Sequence, residues 1–266
     1  MSTAATSWAS LRLGANLVLA YRLEVVVHIL SASLVTFFNW SLWHSVFIGR
    51  ETIAGRTAEE MCTYVVMAWV VTTFYSTRVD EFVGQRIRSG DIAVDLLRPW
   101  SLQLHLYMRE LGRAGSTLLL TTIPLALTTV VLLPLRSPTR PSTWIALAIS
   151  LLLAQAISFG LSWLVGLASF KLRNAAGLAR LKATLIGVFS GALIPLDLYP
   201  EPLRSIVVLL PFQGLSHTPA SIYVEQFDPA LLWQPLAIQL AWALALMVLG
   251  MLAFRSACRA LVVQGG

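Results

Sequence analysis

The strongest constraint on this chain is a series of apolar stretches too long and too numerous for a soluble core. From Ser142 to Ala168 there is no charged side chain at all. A helix needs about 20 mostly apolar residues to cross the hydrocarbon layer of a bilayer. Six segments approach that length: Val25 to Ile48, Met61 to Thr77, Ala114 to Leu133 with Pro124 inside it, Ser142 to Ala168, Ala183 to Leu196, and Ala230 to Phe254. With 57% hydrophobic and 12% charged residues and a mean hydropathy of +0.74, residues 1–266 read as one all-α polytopic membrane domain with six transmembrane helices. The fifth segment is the shortest, so Arg180 and Lys182 must snorkel along its inner end if it crosses.

Six spans place both termini on one side, and Lys and Arg near span ends favour the cytoplasm. With the N-terminus inside, the inner connections hold Arg78, Arg86, Arg88, Arg98, Arg109, Arg113, Lys171, Arg173, Arg180 and Lys182, and the terminal segments hold Arg12, Arg22, Arg255 and Arg259. The outer connections keep only Arg50, Arg56, Arg136, Arg140 and Arg204, beside Glu51, Glu59, Glu60, Asp197, Glu201, Glu225 and Asp228. Both termini are therefore expected in the cytoplasm. The net charge of +6 is a topology signal and not a nucleic-acid footprint. Arg12, Arg22 and Glu24 interrupt any signal-peptide core, while Trp8, Leu11, Ala15 and Val18 recur at helical spacing. Residues 1–22 thus read as an interfacial elbow helix, with a frayed terminus as the alternative.

Chemistry-bearing motifs are absent from the sequence. There is no phosphate-binding G-x-x-x-x-G-K-[S/T], no G-x-S-x-G and no H-E-x-x-H, so no enzyme and no bound cofactor are expected. Cys62 and Cys258 fall on opposite sides of the membrane and cannot pair. His28, His44, His105 and His217 lack metal-ligand spacing, so no metal site is expected. None of the six cores contains a charge, which argues against proton-coupled transport. Asn39 and Gln155 are the main intramembrane polar side chains, and either lines a pathway or bonds a neighbouring helix. Trp40, Trp43, Phe47, Met67 and Trp69 suit contact with a lipid or a hydrophobic substrate, and ordinary lipid-facing positions explain them equally. In "GVFSG", Gly187 and Gly191 stand four apart, spacing that permits close helix approach within the chain or between chains.

Against this background "IRSGDIAVDLLRPW", residues 87–100, stands out. On a helix Ala93, Leu96, Leu97 and Trp100 share one face, and Asp91, Asp95 and Arg98 the other. Ser89 suits the N-cap and Pro99 ends the element. Upstream, Val79, Phe82, Val83 and Ile87 form a second apolar stripe beside Asp80, Glu81 and Arg86, so the second span is expected to run on into the cytoplasm, with Gly84 and Gly90 as bending points. Such a helix either floats at the inner leaflet or docks a partner, and its mixed charges suit a protein better than anionic lipid. Between Pro195 and Pro229 the proline-rich sequence is too short-run to span and must not leave backbone unpaired in lipid. A re-entrant or outer-surface hairpin over 195–229 is expected, broken near Pro211 and Pro219, with Tyr199 and Tyr223 at headgroup level.

The pair "GDIAVDLLRPW" and "SGALIPLDLYPEPLRSIVVLLPF" resembles the membrane subunits of type-2 ABC exporters, in the subgroup of small six-span, viologen-exporter-like permeases. The resemblance covers nearly the whole chain. It implies an elbow helix, a coupling helix between the second and third spans (region 78–100) and a broken outer hairpin before the last span. It also implies a bacterial cytoplasmic-membrane location and export of a hydrophobic or amphipathic substrate. Two cytoplasmic ABC ATPase subunits would drive this, with ATP and Mg bound there, and a second permease chain, identical or related, would complete a dimer. Carried over by position, Asp80, Glu81, Arg86, Arg88, Asp91, Asp95 and Arg98 are expected to contact the ATPase. Gly187 and Gly191 belong to the dimer seam, and Asn39, Trp43, Met67 and Gln155 are candidates for the pathway lining. The competing readings are a secondary transporter, for which buried charges and inverted repeats are missing, and a non-transporting membrane scaffold.

Overall fold

A computed structural model describes residues 9–13, 22–96, 101–172 and 175–264. The long elements are α1 (Arg22–Val46), a two-stranded hairpin β1 (Thr52–Ile53) and β2 (Arg56–Thr57), α2 (Ala58–Tyr75), α3 (Val79–Ser89) and α4 (Ile92–Leu96). They continue with α5 (Leu102–Thr117), α6 (Ile123–Leu132), α7 (Pro141–Leu167), α8 (Ala176–Phe189), α9 (Glu201–Val207), α10 (His217–Tyr223) and α11 (Trp233–Gln264). Four stretches are long and apolar enough to cross a membrane: Val25–Val46, Leu102–Leu132, Pro141–Phe170 and Pro229–Arg259. The protein is an all-α integral membrane protein.

Of these four, Pro141–Phe170 is the enclosed one, with 61% of its apolar stretch buried against 11% for Val25–Val46 and 22% for the other two. It forms the hub, packing against α11, α3, α10 and α2. Reciprocal small residues bring α7 and α11 together: Gly160 receives the Leu246 side chain and Gly250 receives Trp163, and a Cβ at either glycine would sit 2.7 or 2.5 Å from those atoms. Small-residue approach of this kind is how helices pack where lipid supplies no hydrophobic drive.

The third expected span begins twelve residues early, at Leu102, and runs through a π turn, Leu118–Thr122, into α6. Pro124 cannot donate to the helix ladder and its ring crowds the preceding turn. The π turn directly before it accommodates both.

The two remaining expected spans differ in kind. Helix α2 has 18 residues and is the most enclosed element, with Met61, Tyr64, Val65, Val66 and Ala68 at 0% exposure. It starts with a capping box, Thr57 Oγ1 accepting from the Glu60 N–H and Glu60 Oε2 from the Thr57 N–H. It does not run on into α3. Ser76 leaves the helical region at φ −57°, ψ 128°, its carbonyl taken by Arg113, while Thr77 Oγ1 donates to Glu110 Oε2 at 2.9 Å. Helix α8, at 14 residues, rises only about 21 Å at 1.5 Å per residue. Lys182, at the middle of this helix, does not snorkel outward but pairs with Asp80 at 2.8 Å and donates to Ser162 Oγ at 2.9 Å.

Beyond α8 the chain abandons regular structure, and its backbone is met by side chains from the long helices. Tyr64 Oη donates to Gly191 O (3.1 Å) and hydrogen-bonds His217 Nδ1 (2.8 Å). Gln239 Nε2 donates to Gly214 O (2.7 Å), Tyr199 Oη to Val188 O (2.6 Å) and Trp242 Nε1 to Leu209 O (3.2 Å). The hairpin breaks at Pro211 as expected, where a short 3-10 turn begins. Pro219 is no break: it sits in the first turns of α10, where its missing N–H costs nothing. Tyr223 is buried, edge-on to Trp144 at 6.0 Å.

After α10, Glu225 adopts a left-handed φ of 55°, a conformation costly for a residue with a side chain. Its carboxylate accounts for its presence. It accepts from Thr139 N (3.0 Å), Thr139 Oγ1 (2.8 Å), Arg140 N (2.9 Å) and Thr143 Oγ1 (2.9 Å), capping the start of α7. Burial pushes this carboxyl up, but the hydrogen bonds from Arg140, Thr139 and Thr143 outweigh burial and hold its pKa at about 2, against 4.5 ordinarily. A depressed carboxyl stabilises the fold above its unfolded pKa and loses that contribution as pH falls toward its folded pKa. The melting temperature of the purified chain should therefore decline between about pH 4.5 and pH 2, with Glu225→Gln less stable at neutral pH and its decline over that window shallower.

Candidate functional site

The elbow formed by α3 and α4 lies between α2 and α5, and local sequence explains its shape. Val79 and Val83 are buried against α7 and its 3-10 extension, with Phe82 and Ile87 partly buried beside them, so the expected apolar stripe of α3 is real. Gly90 ends α3 at φ +81°, a left-handed C-cap that suits glycine alone among common residues. The turn reorients α4, so 87–96 is two short helices and not one.

That turn changes which charges face out. The single-helix pattern puts Asp95 outside with Asp91. In the structure Ile92 and Asp95 are buried, and Ala93 and Val94 are exposed. Asp95 forms an ion pair with Arg86 Nε, and the Arg86 guanidinium lies over the Phe82 ring, 5.7 Å from its centroid. Asp80, 8% exposed, is held by Lys182 and fastens α3 to α8. Asp80, Arg86 and Asp95 are thus bonded within the chain. Glu81, Arg88 and Asp91 remain exposed, with Asp91 accepting from Ser89 Oγ at 2.7 Å, so Ser89 braces this carboxylate and does not cap α4. Arg98, Leu97 and Trp100 lie outside the described residues. Val94, 56% exposed, adds an apolar tip that the periodicity argument missed, because it assumed one straight helix.

The elbow end of the bundle is braced by a second buried network. Glu110, 5% exposed, accepts from Arg113 Nε at 2.9 Å and Thr77 Oγ1 at 2.9 Å, and Arg109 stacks over Phe82 at 4.1 Å. Residues 9–13 are helical, and Ser10 Oγ lies 2.7 Å from His105 Nδ1. This part of the expected elbow helix packs on α5, where a Cβ at Gly112 would meet Leu11 O at 1.9 Å. Trp8, Ala15 and Val18 lie outside the described residues.

The candidate pathway residues are packed inside the single chain. Asn39 Nδ2 donates to Val35 O at 2.9 Å on its own helix. Trp43 and Met67, 9% and 5% exposed, belong to one apolar cluster with Phe47, Met61 and Val66. Gln155 is fully buried, and among the described residues neither of its amide atoms has a hydrogen-bond partner. The two glycines do not share a face. Gly187 is helical with open space beside it, whereas Gly191 lies beyond the end of α8 at φ +82°, and a Cβ there would meet Tyr64 Oη at 2.7 Å and His217 Cβ at 2.9 Å. Gly191 therefore serves packing within the chain. Helix α8 buries none of its residues, and α1 exposes Leu23, Val27, Leu30, Leu34 and Phe38. Among the described residues no group of three or more His, Cys, Asp or Glu is placed to hold a metal ion.

A family model described as ABC-2 family transporter protein matches residues 30–265. No curated protein and no solved structure matches the chain.

The contrast within the elbow yields a test. Asp95→Ala should lower stability by about 1–3 kcal/mol, since it strands the mostly buried Arg86 guanidinium. Asp91→Ala should change it by no more than about 0.5 kcal/mol. Denaturant melts of the purified chain measure both, and equal losses would contradict the inward placement of Asp95.

Proposed function

The chain belongs to the ABC-2 family of transporter proteins, and on that premise we propose that it is the permease of an exporter driven through its α3–α4 elbow. As a permease component it works with an ABC ATPase carried on other subunits. The observation that carries the proposal is the elbow itself. The Asp80–Lys182 ion pair fastens it to the bundle and the Arg86–Asp95 pair holds α4 against α3, and its remaining groups, Glu81, Arg88, Asp91 and Val94, are turned outward. A rigid knob with a charged and apolar tip suits transmission of force from a moving partner.

In this reading both termini are cytoplasmic, in agreement with the basic-residue bias, and the membrane is the bacterial cytoplasmic membrane. Six crossings are completed by α2 and by α8, whose 14 residues reach the outer surface through the side-chain-braced stretch 190–197. ATP and Mg bind in two ATPase subunits, and closure of those subunits pushes the elbow. Because α7 carries both the elbow, on Gly166 and Ser162, and the outer hairpin, on Gln239 through Ser150, the push reaches the far side. A second permease chain, identical or related, covers the exposed faces of α1 and α8, with Gly187 in the seam. The substrate moved outward is hydrophobic or amphipathic, in keeping with the aromatic and apolar character of the α1 and α2 walls. Of the seven coupling candidates, the proposal retains Glu81, Arg88 and Asp91 as direct contacts and assigns Asp80, Arg86 and Asp95 to holding the elbow in shape.

The test uses the permease co-expressed with its cognate ABC ATPase. The double variant Arg88→Glu with Asp91→Arg should insert and fold normally yet lose co-purification of the ATPase and substrate-stimulated ATP hydrolysis several-fold. Unchanged co-purification and hydrolysis would contradict the coupling role.

A further inference from the structure

At the end of the bundle opposite the elbow lies a cavity of about 620 Å³, walled by the Ala54–Gly55 turn, the start of α7, the 197–204 segment and the end of α10. Four arginines line it, Arg56, Arg136, Arg140 and Arg204, with three carboxylates, Glu60, Asp197 and Glu225. We infer that this basin binds a phosphate ester through its arginines.

The carboxylates are already committed. Asp197, 8% exposed at its side chain, is clamped between Arg56 and Arg204, the latter at 3.2 Å. Glu60 accepts from the Thr57 N–H and from Arg136 Nη1 at 3.2 Å, and Glu225 accepts from the four donors at the start of α7. Their acceptor capacity is turned toward the chain, which disfavours a cation. Donors, by contrast, are left over. Arg56 has a side chain only 7% exposed. Its Nη2 reaches Asp197 and Gln226 Oε1 (2.6 Å) and its guanidinium carbon lies 4.6 Å from the Tyr64 ring centroid, yet Nε and Nη1, both buried, have no hydrogen-bond partner among the described residues. A buried guanidinium N–H without an acceptor is costly and rare in a native protein. Arg140 is exposed, and among the described residues its guanidinium has no hydrogen-bond or ion-pair partner. Several fixed or poised guanidinium forks around one cavity are the donor set that suits an oxyanion, above all a phosphate.

Size narrows the class further. The cavity falls in the range that holds an organic molecule, so the phosphate belongs to an ester and not to a bare ion. Two sources share this chemistry. One is the headgroup of an anionic phospholipid, for which Ile206 and Leu209 of the adjoining hairpin, 59% and 72% exposed, offer an apolar flank. The other is a soluble phosphate ester. Binding itself does not depend on the transport reading above.

The experiment is isothermal titration of the purified full chain in detergent with three probes: dioctanoyl phosphatidylglycerol, glycerol 3-phosphate, and dioctanoylglycerol, which lacks phosphate. At least one phosphate-bearing probe should bind and dioctanoylglycerol should not. Arg140→Ala should weaken that binding about tenfold or more, and Arg140→Lys should recover part of it. Binding of the lipid alone assigns a lipid headgroup. Binding of glycerol 3-phosphate, with or without the lipid, assigns the phosphate ester itself. Failure of both phosphate probes, or equal affinity of Arg140→Ala and the unaltered chain, overturns the inference. Because the hydrogen bonds that Arg140 makes among the described residues are those of its backbone, N–H to Glu225 and C=O from the Thr143 N–H, these variants test binding and not folding.

Discussion

The rest of the structure depends on satisfying the backbone between α8 and α11, where only short helices and turns occur. A peptide group buried there without a partner is costly. The chain answers with long polar side chains on its neighbours. Tyr64 on α2 and Gln239 and Trp242 on α11 donate to three of its carbonyls, and Tyr199 within the segment donates back to Val188 O in the last turn of α8. Each such bond contributes only about 1 kcal/mol net, but leaving its carbonyl buried and unmet costs about 1–3 kcal/mol. The donors therefore specify the hairpin's conformation more than they add stability.

These bonds also join the two ends of the bundle. Tyr75, at the last turn of α2, hydrogen-bonds Ser216 Oγ at 2.9 Å, while its carbonyl accepts from Ser158 of α7 at 2.7 Å. Four residues farther along α7, Ser162 accepts from Lys182, the partner of Asp80 in the elbow. A movement of the elbow thus meets α7 and α8 first, and α7 holds Gln239 and the hairpin through Ser150. Gln155, between Ser150 and Ser158, has no hydrogen-bond partner among the described residues.

The long apolar helices, the interrupted hairpin and the apolar stripe of α3 were legible in the sequence, because each is a local pattern of hydropathy or proline. The membership of individual charges was not. Asp91 and Asp95 look alike on a helical wheel, and what separates them is the left-handed turn at Gly90 together with Arg86, which draws only Asp95 inward. Likewise Gly187 and Gly191 have ideal spacing for one face, but α8 stops at Phe189 and the second glycine turns toward Tyr64. Pairings such as Arg56 with Asp197, 141 positions apart, carry no local signal, so the arginine basin could not be seen as a unit. Alternation and periodicity reveal what a segment buries. They do not reveal which distant group meets it.

The account stands most directly on Gln239, which donates to Gly214 O at 2.7 Å and Ser150 O at 3.3 Å while accepting from Ser150 Oγ at 2.9 Å. Hydrogen–deuterium exchange of the purified Gln239→Leu chain, read peptide by peptide, measures whether that side chain holds the irregular segment. Amides of residues 211–224 should exchange about tenfold faster than in the unaltered chain, the equivalent of about 1.4 kcal/mol, with α1 and α5 unchanged. Equal exchange across 211–224 in the two proteins would contradict the claim that side-chain donors hold the hairpin in place.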